Sequence, residues 1–257
     1  MQLNGTPAIN IQNNAMSIDT SLEVAFQPIL ETNSLNLVGF EALLRVISEN
    51  EMLPTQQYLH SAASSNDIEQ LDRWVIEESI NTFSEWAENY HQPLYLNINL
   101  SEATLARADF PGFLQYTLLQ HIVYSENVNL EIDARYLANP DCLANISVLV
   151  ELGIRFTLNL AHMDESAIAD KGYGFSSCKI PASWLSDNSN NQHWLETLRA
   201  MSERGIQLIA TNVETSGALQ QCSDLGISSF QGYFSAKPLP KADFECWFLN
   251  QTEITEN

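Results

Sequence analysis

Short apolar runs alternating with amphipathic helical stretches constrain this chain more than any other feature. Residues 23–29 (EVAFQPI) and 37–46 (LVGFEALLRV) read as strands. The polar turn formers of 31–36 (ETNSLN) separate them, so the chain opens with a hairpin. Residues 67–90 put Ile68, Leu71, Val75, Ile76, Ile80, Phe83 and Trp86 on one helical face, with Asn66 or Asp67 as N-cap. A rhythm follows. Strands are expected at 93–100, 128–133, 154–160, 175–181, 206–211 and 228–233. Helices are expected at 110–121, 140–153, 190–204, 215–224 and 241–249, two of them closed by Gly153 and Gly205. Residues 161–174 and 182–192 read as loops. This alternation predicts an α/β barrel, with a doubly wound sheet as the alternative. The alternative usually opens with a glycine-rich phosphate loop, and GYGF at 172–175 precedes a strand instead.

A chain of 257 residues, 45% hydrophobic and with five Trp, can bury a substantial core. Its 32 acidic and 11 basic residues give a net charge of −21. Such a surface repels nucleic acid and anionic membranes, so neither is an expected partner. No apolar run reaches the ~20 residues of a membrane helix, and the first 20 residues lack a secretory pattern. Cys142, Cys178, Cys222 and Cys246 lie far apart, without zinc-ligand spacing. Free thiols in a reducing cytoplasm are the expectation. Residues 1–20 read as a tail or short appended segment, 21–250 as one barrel domain, and 251–257 as a C-terminal tail.

In a (β/α) barrel, chemistry gathers at the C-terminal ends of the strands. The polar residues expected there are Glu41, Asn99, Glu131, Asn159, Lys179, Thr211 and Gln231. Any one of them could be a helix cap or a solvated side chain. Together Glu41, Asn99 and Glu131 offer oxygen ligands suited to a hard divalent cation. Within GFEALLRV, Glu41 and Arg45 interrupt an apolar run, and charge in such a run needs a partner. Trp184 and Trp194 are candidate surface contacts, though a Trp more often packs in a core.

GFEALLR resembles the namesake motif of the EAL domain, the bacterial phosphodiesterase of cyclic di-GMP. The likeness runs from about Glu23 to Pro240. FQPI precedes the motif, and LDRWVIEESI, NLSEATL, LEID, ATNVETSGAL and QGYFSAKPLP follow in the family's order. The resemblance implies a modified (β/α)8 TIM-like barrel whose first strand runs antiparallel. It also implies metal-ligand positions at Glu41, Asn99 (rather than Asn97) and Glu131, and a retained lysine at Lys179. Gln27, Leu43, Arg45, Asp72 and Gln231 match positions that line the dinucleotide site in relatives.

The pattern also breaks. Active members use two Mg²⁺ or Mn²⁺ ions to clamp the phosphate and generate the attacking hydroxide. Their D-D-F-G-x-G segment supplies two aspartates, where LGIRFTLNLAHM here places Asn159 and Leu160. An alternative alignment on ADKGYGFSS supplies one acid, Asp170, beside Ala169, but leaves no room for the helix before Lys179. Thr211 stands at the first glutamate of A-E-G-V-E-T, Pro181 at the aspartate of K-[IL]-D, and Ala134 at the second glutamate of L-E-[IL]-T-E. A threonine hydroxyl cannot act as general base at neutral pH.

The resemblance with these losses implies a degenerate, catalytically inactive EAL protein that acts as a cyclic di-GMP receptor. Arg45 is then a phosphate contact, and its other reading is a salt bridge to Glu41. The alternative function is nucleotide-independent regulation through a protein partner, such as a transcription or motility regulator. A third is weak residual phosphodiesterase activity at a vestigial metal site. No cofactor is expected, with Mg²⁺ or Mn²⁺ at most weakly bound. The oligomeric state is left open.

Overall fold

The computed structural model describes residues 20–48, 51–54, 65–89, 94–160, 174–187 and 191–255. The hairpin is present: β1 (Thr20–Glu31) and β2 (Leu37–Ser48) pair antiparallel from Thr20↔Ser48 to Leu30↔Leu37. β3 (Glu51–Pro54) folds back along the end of β2. Then come α1 (Ser65–Asn89), β4 (Tyr95–Asn99), α2 (Glu102–Leu105), α3 (Phe110–His121), β5 (Val128–Asp133), α4 (Pro140–Glu151) and β6 (Arg155–Asn159). The remaining elements are β7 (Ser177–Pro181), α5 (Ala182–Asp187), α6 (Gln192–Glu203), β8 (Gln207–Thr211), α7 (Ser216–Asp224), β9 (Ser229–Phe230), β10 (Leu239–Pro240) and α8 (Lys241–Thr255).

Strands β2, β4, β5, β6, β7, β8 and β9 run parallel, each beside the next. β1 closes the ring by pairing antiparallel with β2 on one edge and β9 on the other. The result is a closed eight-stranded barrel with an antiparallel first strand; β3 and the two-residue β10 lie outside the ring. The doubly wound alternative is excluded by that closure.

Local differences from the sequence reading have simple causes. α1 starts at Ser65, so Asn66 and Asp67 lie inside its first turn rather than capping it. The segment read as loop after Pro181 holds α5, whose Ala182 and Leu185 are buried. β9 is shorter than expected, covering only Ser229–Phe230, although Gln231 still donates to the Ala210 carbonyl of β8 at 2.8 Å. β3 and β10 were not expected: each is short and is made by pairing rather than by its own pattern. The last helix continues to Thr255. Of the expected tail at 1–20, Thr20 already belongs to β1; residues 1–19 and most of the 161–174 loop, including the Asp170 alignment, fall outside the described residues.

Alternation along the strands sorts the side chains. Leu96, Ile98, Leu130, Ile132, Phe156, Leu158, Cys178 and Ile180 face outward into the main core against the helices. That core carries most of the buried apolar area, the dominant favourable term in folding. An aromatic cluster fastens α1 and α8 onto the hairpin: Phe26 and Phe40 meet edge-on at 5.8 Å, and Trp86 stacks on Phe244 at 4.8 Å. The Trp86 indole N–H also donates to Glu245 at 2.8 Å.

The barrel lumen is different. TIM-type interiors are usually filled by branched apolar layers. Here only a small plug of Ile29, Tyr95 and Ile209 fills the lower end. Gly39 makes room for it, since a Cβ there would meet the Tyr95 carbonyl oxygen at 2.6 Å. Above the plug the lumen is polar. Thr157 donates to Asn97 at 3.0 Å and shares a 2.6 Å hydrogen bond with Ser177, all three fully buried. Buried polar groups are usually paired, as these three are, though the neighbouring Asn129 Oδ1 and the Tyr95 hydroxyl are buried without a hydrogen-bond partner among the described residues. This layer forms the base on which the charged residues of the mouth stand.

Candidate functional site

Register places the charged residues side by side. Glu41 lies on the inward face of β2, Asn99 and Glu131 are paired across β4 and β5, and Asn159 pairs with Lys179 across β6 and β7. Lys179 extends its ammonium between two carboxylates, 2.6 Å from Glu41 Oε2 and 2.5 Å from Glu131 Oε2. All three residues are buried. The remaining oxygen positions are filled by amide donors. Glu41 accepts from Asn99 at 2.5 Å and from Gln231 at 2.6 Å. Glu131 accepts from Asn97 and from Asn159, each at 2.9 Å. Gln231 also donates to Gln27 at 2.9 Å, and Gln27 donates to the Ala236 carbonyl at 3.0 Å.

The two carboxylates share one cation but are not equivalent. Burial raises the pKa of both. For Glu41 the Lys179 charge, with hydrogen bonds from Lys179, Gln231 and Asn99, outweighs burial and holds the group below its ordinary value. For Glu131 burial and the neighbouring Glu41 charge outweigh Lys179, so its pKa is raised. Burial would lower the Lys179 pKa, but the flanking carboxylates raise it, so the ammonium stays charged.

Above it opens a cavity of about 840 Å³, within the ~300–1,000 Å³ of typical ligand sites. Every sequence-predicted site residue except Leu160 lines it: Gln27, Glu41, Leu43, Arg45, Asp72, Asn99, Glu131, Asn159, Lys179, Thr211 and Gln231. Leu160 instead packs in the outer core at 1% exposure. Arg45 is half-buried and donates to the Leu44 carbonyl at 2.8 Å. Burial lowers its pKa, against the attraction of Glu41 and Tyr233. The salt-bridge reading of Arg45 is not realised, because Glu41 is filled by Asn99, Lys179 and Gln231. Asp72 serves the frame: one oxygen accepts from Ser101 Oγ at 2.5 Å and Thr104 Oγ1 at 2.6 Å, fixing the start of α2. Burial raises its pKa against those bonds.

Sequence reasoning set Asn97 aside in favour of Asn99, yet Asn97 holds Glu131 from below. The inward alternation Tyr95–Asn97–Asn99 was the available signal. Tyr233 was also missed. It is 57% exposed at the rim, and Lys237 lies 5.3 Å from its ring centroid. The Trp pair is core: Trp194 is 2% exposed and packs edge-on against Trp184 at 6.2 Å. Asn212, beside Thr211, has φ 58°, which asparagine tolerates better than most residues.

The two-ion set of Mg²⁺ or Mn²⁺ can be tested against these donors. Two divalent ions bring four positive charges. Five carboxylates of the described residues line the cavity: Glu41 and Glu131 share the Lys179 ammonium, Asp72 accepts from Ser101 and Thr104, Asp133 pairs with Arg135, and Glu214 is exposed. Asn159, Thr211 and Pro181 line the wall as neutral groups, and Leu160 does not face it. Among the described residues, no three Asp, Glu, His or Cys side chains converge. Among the described residues, the donor set therefore does not fit a pair of divalent ions.

The chain was compared with known proteins. The EAL domain family model matches residues 10–238. An uncharacterized protein of Azorhizobium caulinodans is 28% identical over 243 residues, covering 86% of this chain and 32% of its own length. The bifunctional diguanylate cyclase/cyclic di-GMP phosphodiesterase MucR of Pseudomonas aeruginosa is 25% identical over 235 residues, covering 85% of this chain and 33% of its own. The chain thus spans about a third of the length of these curated relatives. Among solved structures, the PaMucR phosphodiesterase in complex with c-di-GMP superposes with a TM-score of 0.77 at 20% identity, covering 87% of this chain and 94% of that one. The FimX EAL domain from Pseudomonas aeruginosa bound to c-di-GMP gives 0.72 at 22% identity, covering 85% and 91%. Both show the same barrel.

Proposed function

The chain belongs to the EAL domain family, and we propose that it binds cyclic di-GMP without hydrolysing it, as a receptor in cyclic di-GMP signalling. The observation that carries this reading is the division of charge at the mouth. Lys179 and the amides satisfy Glu41 and Glu131, and so leave the Arg45 guanidinium on the cavity wall without a carboxylate of its own among the described residues. A planar fork of donors suits a phosphate oxygen pair. Tyr233 at the rim offers an aromatic face for a base. The cavity is large enough for a nucleotide-sized ligand. Solved relatives of the same fold hold c-di-GMP, which supports the ligand class.

Absence of turnover follows from the chemistry of the wall. Two-metal hydrolysis needs ions ~3.5–4 Å apart that stabilise both the attacking and the leaving oxygen. Asn159 and Thr211 supply neither the charge to hold such ions nor a base to take a proton. The proposal therefore requires no metal for binding and assigns Lys179 to the stability of the floor.

Calorimetric titration with cyclic di-GMP in the presence of a chelator tests the reading. Saturable binding that weakens about 10–100-fold in Arg45→Met supports it, as expected for one charge-assisted contact. No heat of binding at any accessible concentration would sink it.

A further inference from the structure

We propose that the surface made by the C-terminal end of α3 and the facing part of α4 docks a basic amphipathic segment of a partner protein. This surface lies at the opposite end of the barrel from the cavity, where the chain enters β5 rather than where it leaves it. It is independent of the nucleotide reading.

Three observations meet here. First, Tyr116, Leu119, Ile122 and Tyr124 are 63, 70, 85 and 72% exposed within one short stretch. Single exposed apolar residues are ordinary, whereas a contiguous group marks a contact surface. Leu119 also borders a groove of about 130 Å³ whose floor is Leu118, Leu149 and Ile154. Second, Ile122 has φ 55° at the C-cap of α3. A β-branched residue is an outlier in the left-handed region, where asparagine or glycine would be easier. The fold thus holds an isoleucine outward at a conformational cost. Third, the rim is acidic. Glu126 and Glu151 are exposed beside the patch. No Lys or Arg occurs at 108–134 or at 136–154. Of the flanking cations, Arg135 pairs with Asp133 at 2.7 Å at the mouth, while Arg155 is exposed at the start of β6, next to the groove-lining Ile154.

Apolar anchors flanked by Glu126 and Glu151 fit a helix that offers aliphatic residues on one face and Lys or Arg beside them. A second copy of this chain would oppose acid to acid, which is unfavourable at an interface. Anionic nucleic acid or lipid meets the same repulsion.

The probe is a fluorescein-labelled amphipathic peptide of leucine and lysine, with a leucine–glutamate counterpart, followed by anisotropy at physiological ionic strength. The lysine peptide should bind, and the glutamate peptide should not. Leu119→Ser with Tyr124→Ser keeps the net charge and should weaken binding about tenfold or more. Ile122→Asn should raise the unfolding temperature while weakening the peptide, a pairing that a merely structural role would not produce. Glu126→Lys with Glu151→Lys should also weaken it. Failure of the wild type to bind, equal binding by the serine variant, or equal binding of the glutamate peptide overturns the proposal. A wild-type dimer dispersed by the serine variant would also overturn it, by assigning the surface to a second copy.

Discussion

Lys179 Nζ lies 2.6 Å from Glu41 Oε2 at the floor of the cavity, and both groups are buried. The same ammonium lies 2.5 Å from Glu131 Oε2. One side chain thus bridges the two acids that the family motifs place at this mouth, and most of the site's behaviour follows from it.

Removing that cation leaves two buried carboxylates facing each other. Breaking a buried ion pair by deleting one partner typically costs ~3–5 kcal/mol, because the orphaned charge stays buried. Lys179→Met is expected to lose stability on that scale in urea denaturation at neutral pH. A loss under about 1 kcal/mol, the level of an exposed pair, would show that the floor is solvated.

The two glutamates should respond to pH in opposite directions. The Glu41 pKa is held below its ordinary 4.5, so its stabilisation is full above pH 4.5 and is lost as the pH falls through its folded value. The Glu131 pKa is raised above 4.5, so the folded state binds its proton more readily. Its contribution is therefore greatest below pH 4.5 and declines as the pH rises through the folded value. Relative to Glu131→Gln, the wild type should lose stability as pH rises from about 4.5; relative to Glu41→Gln, it should lose stability on acidification below it. Parallel curves for the two comparisons would remove the asymmetry. Lys179, raised above 10.5, adds no slope until alkaline pH.

The barrel and its antiparallel opening were legible in the sequence because apolar periodicity reports which face of an element is covered. The mouth was legible because motif order fixes strand ends, and register then brings Glu41, Asn99, Glu131, Asn159 and Lys179 together. Pairing was harder to read. Nothing in GFEALLR says that Glu41 spends its charge on Lys179, 138 residues away, and leaves Arg45 aside. Leu160, which stands at the second of the two lost aspartates, follows the last inward residue of β6, so the alternation turns it toward the core.

That orientation makes restoration of the acids uneven. Asn159→Asp with Thr211→Glu adds two carboxylates to the cavity wall and should create measurable Mn²⁺ binding by calorimetry. Leu160→Asp should instead destabilise the fold, because an ionised group placed in an apolar core is strongly unfavourable. If Leu160→Asp is tolerated and improves Mn²⁺ binding, the side chain faces the cavity after all.

The turn after β9 is equally constrained. A Cβ on Gly232 would meet the Val213 carbonyl oxygen at 2.1 Å, and Val213 N donates to the Gln231 carbonyl at 3.2 Å. Gly232→Ala should displace Gln231 from Glu41 and lower the unfolding temperature. Ala at the exposed Gly217, whose nearest added contact is 3.9 Å, is the control and should change little.

The most direct test combines occupancy and chemistry in one sample. Protein in excess over cyclic di-GMP, with Mn²⁺ present, is followed by chromatography for the linear dinucleotide while binding is confirmed on the same mixture. The account predicts a bound ligand that stays cyclic for as long as the complex is held. Linear product formed at the rate of turnover of a working phosphodiesterase, and abolished by Glu41→Ala, would contradict it.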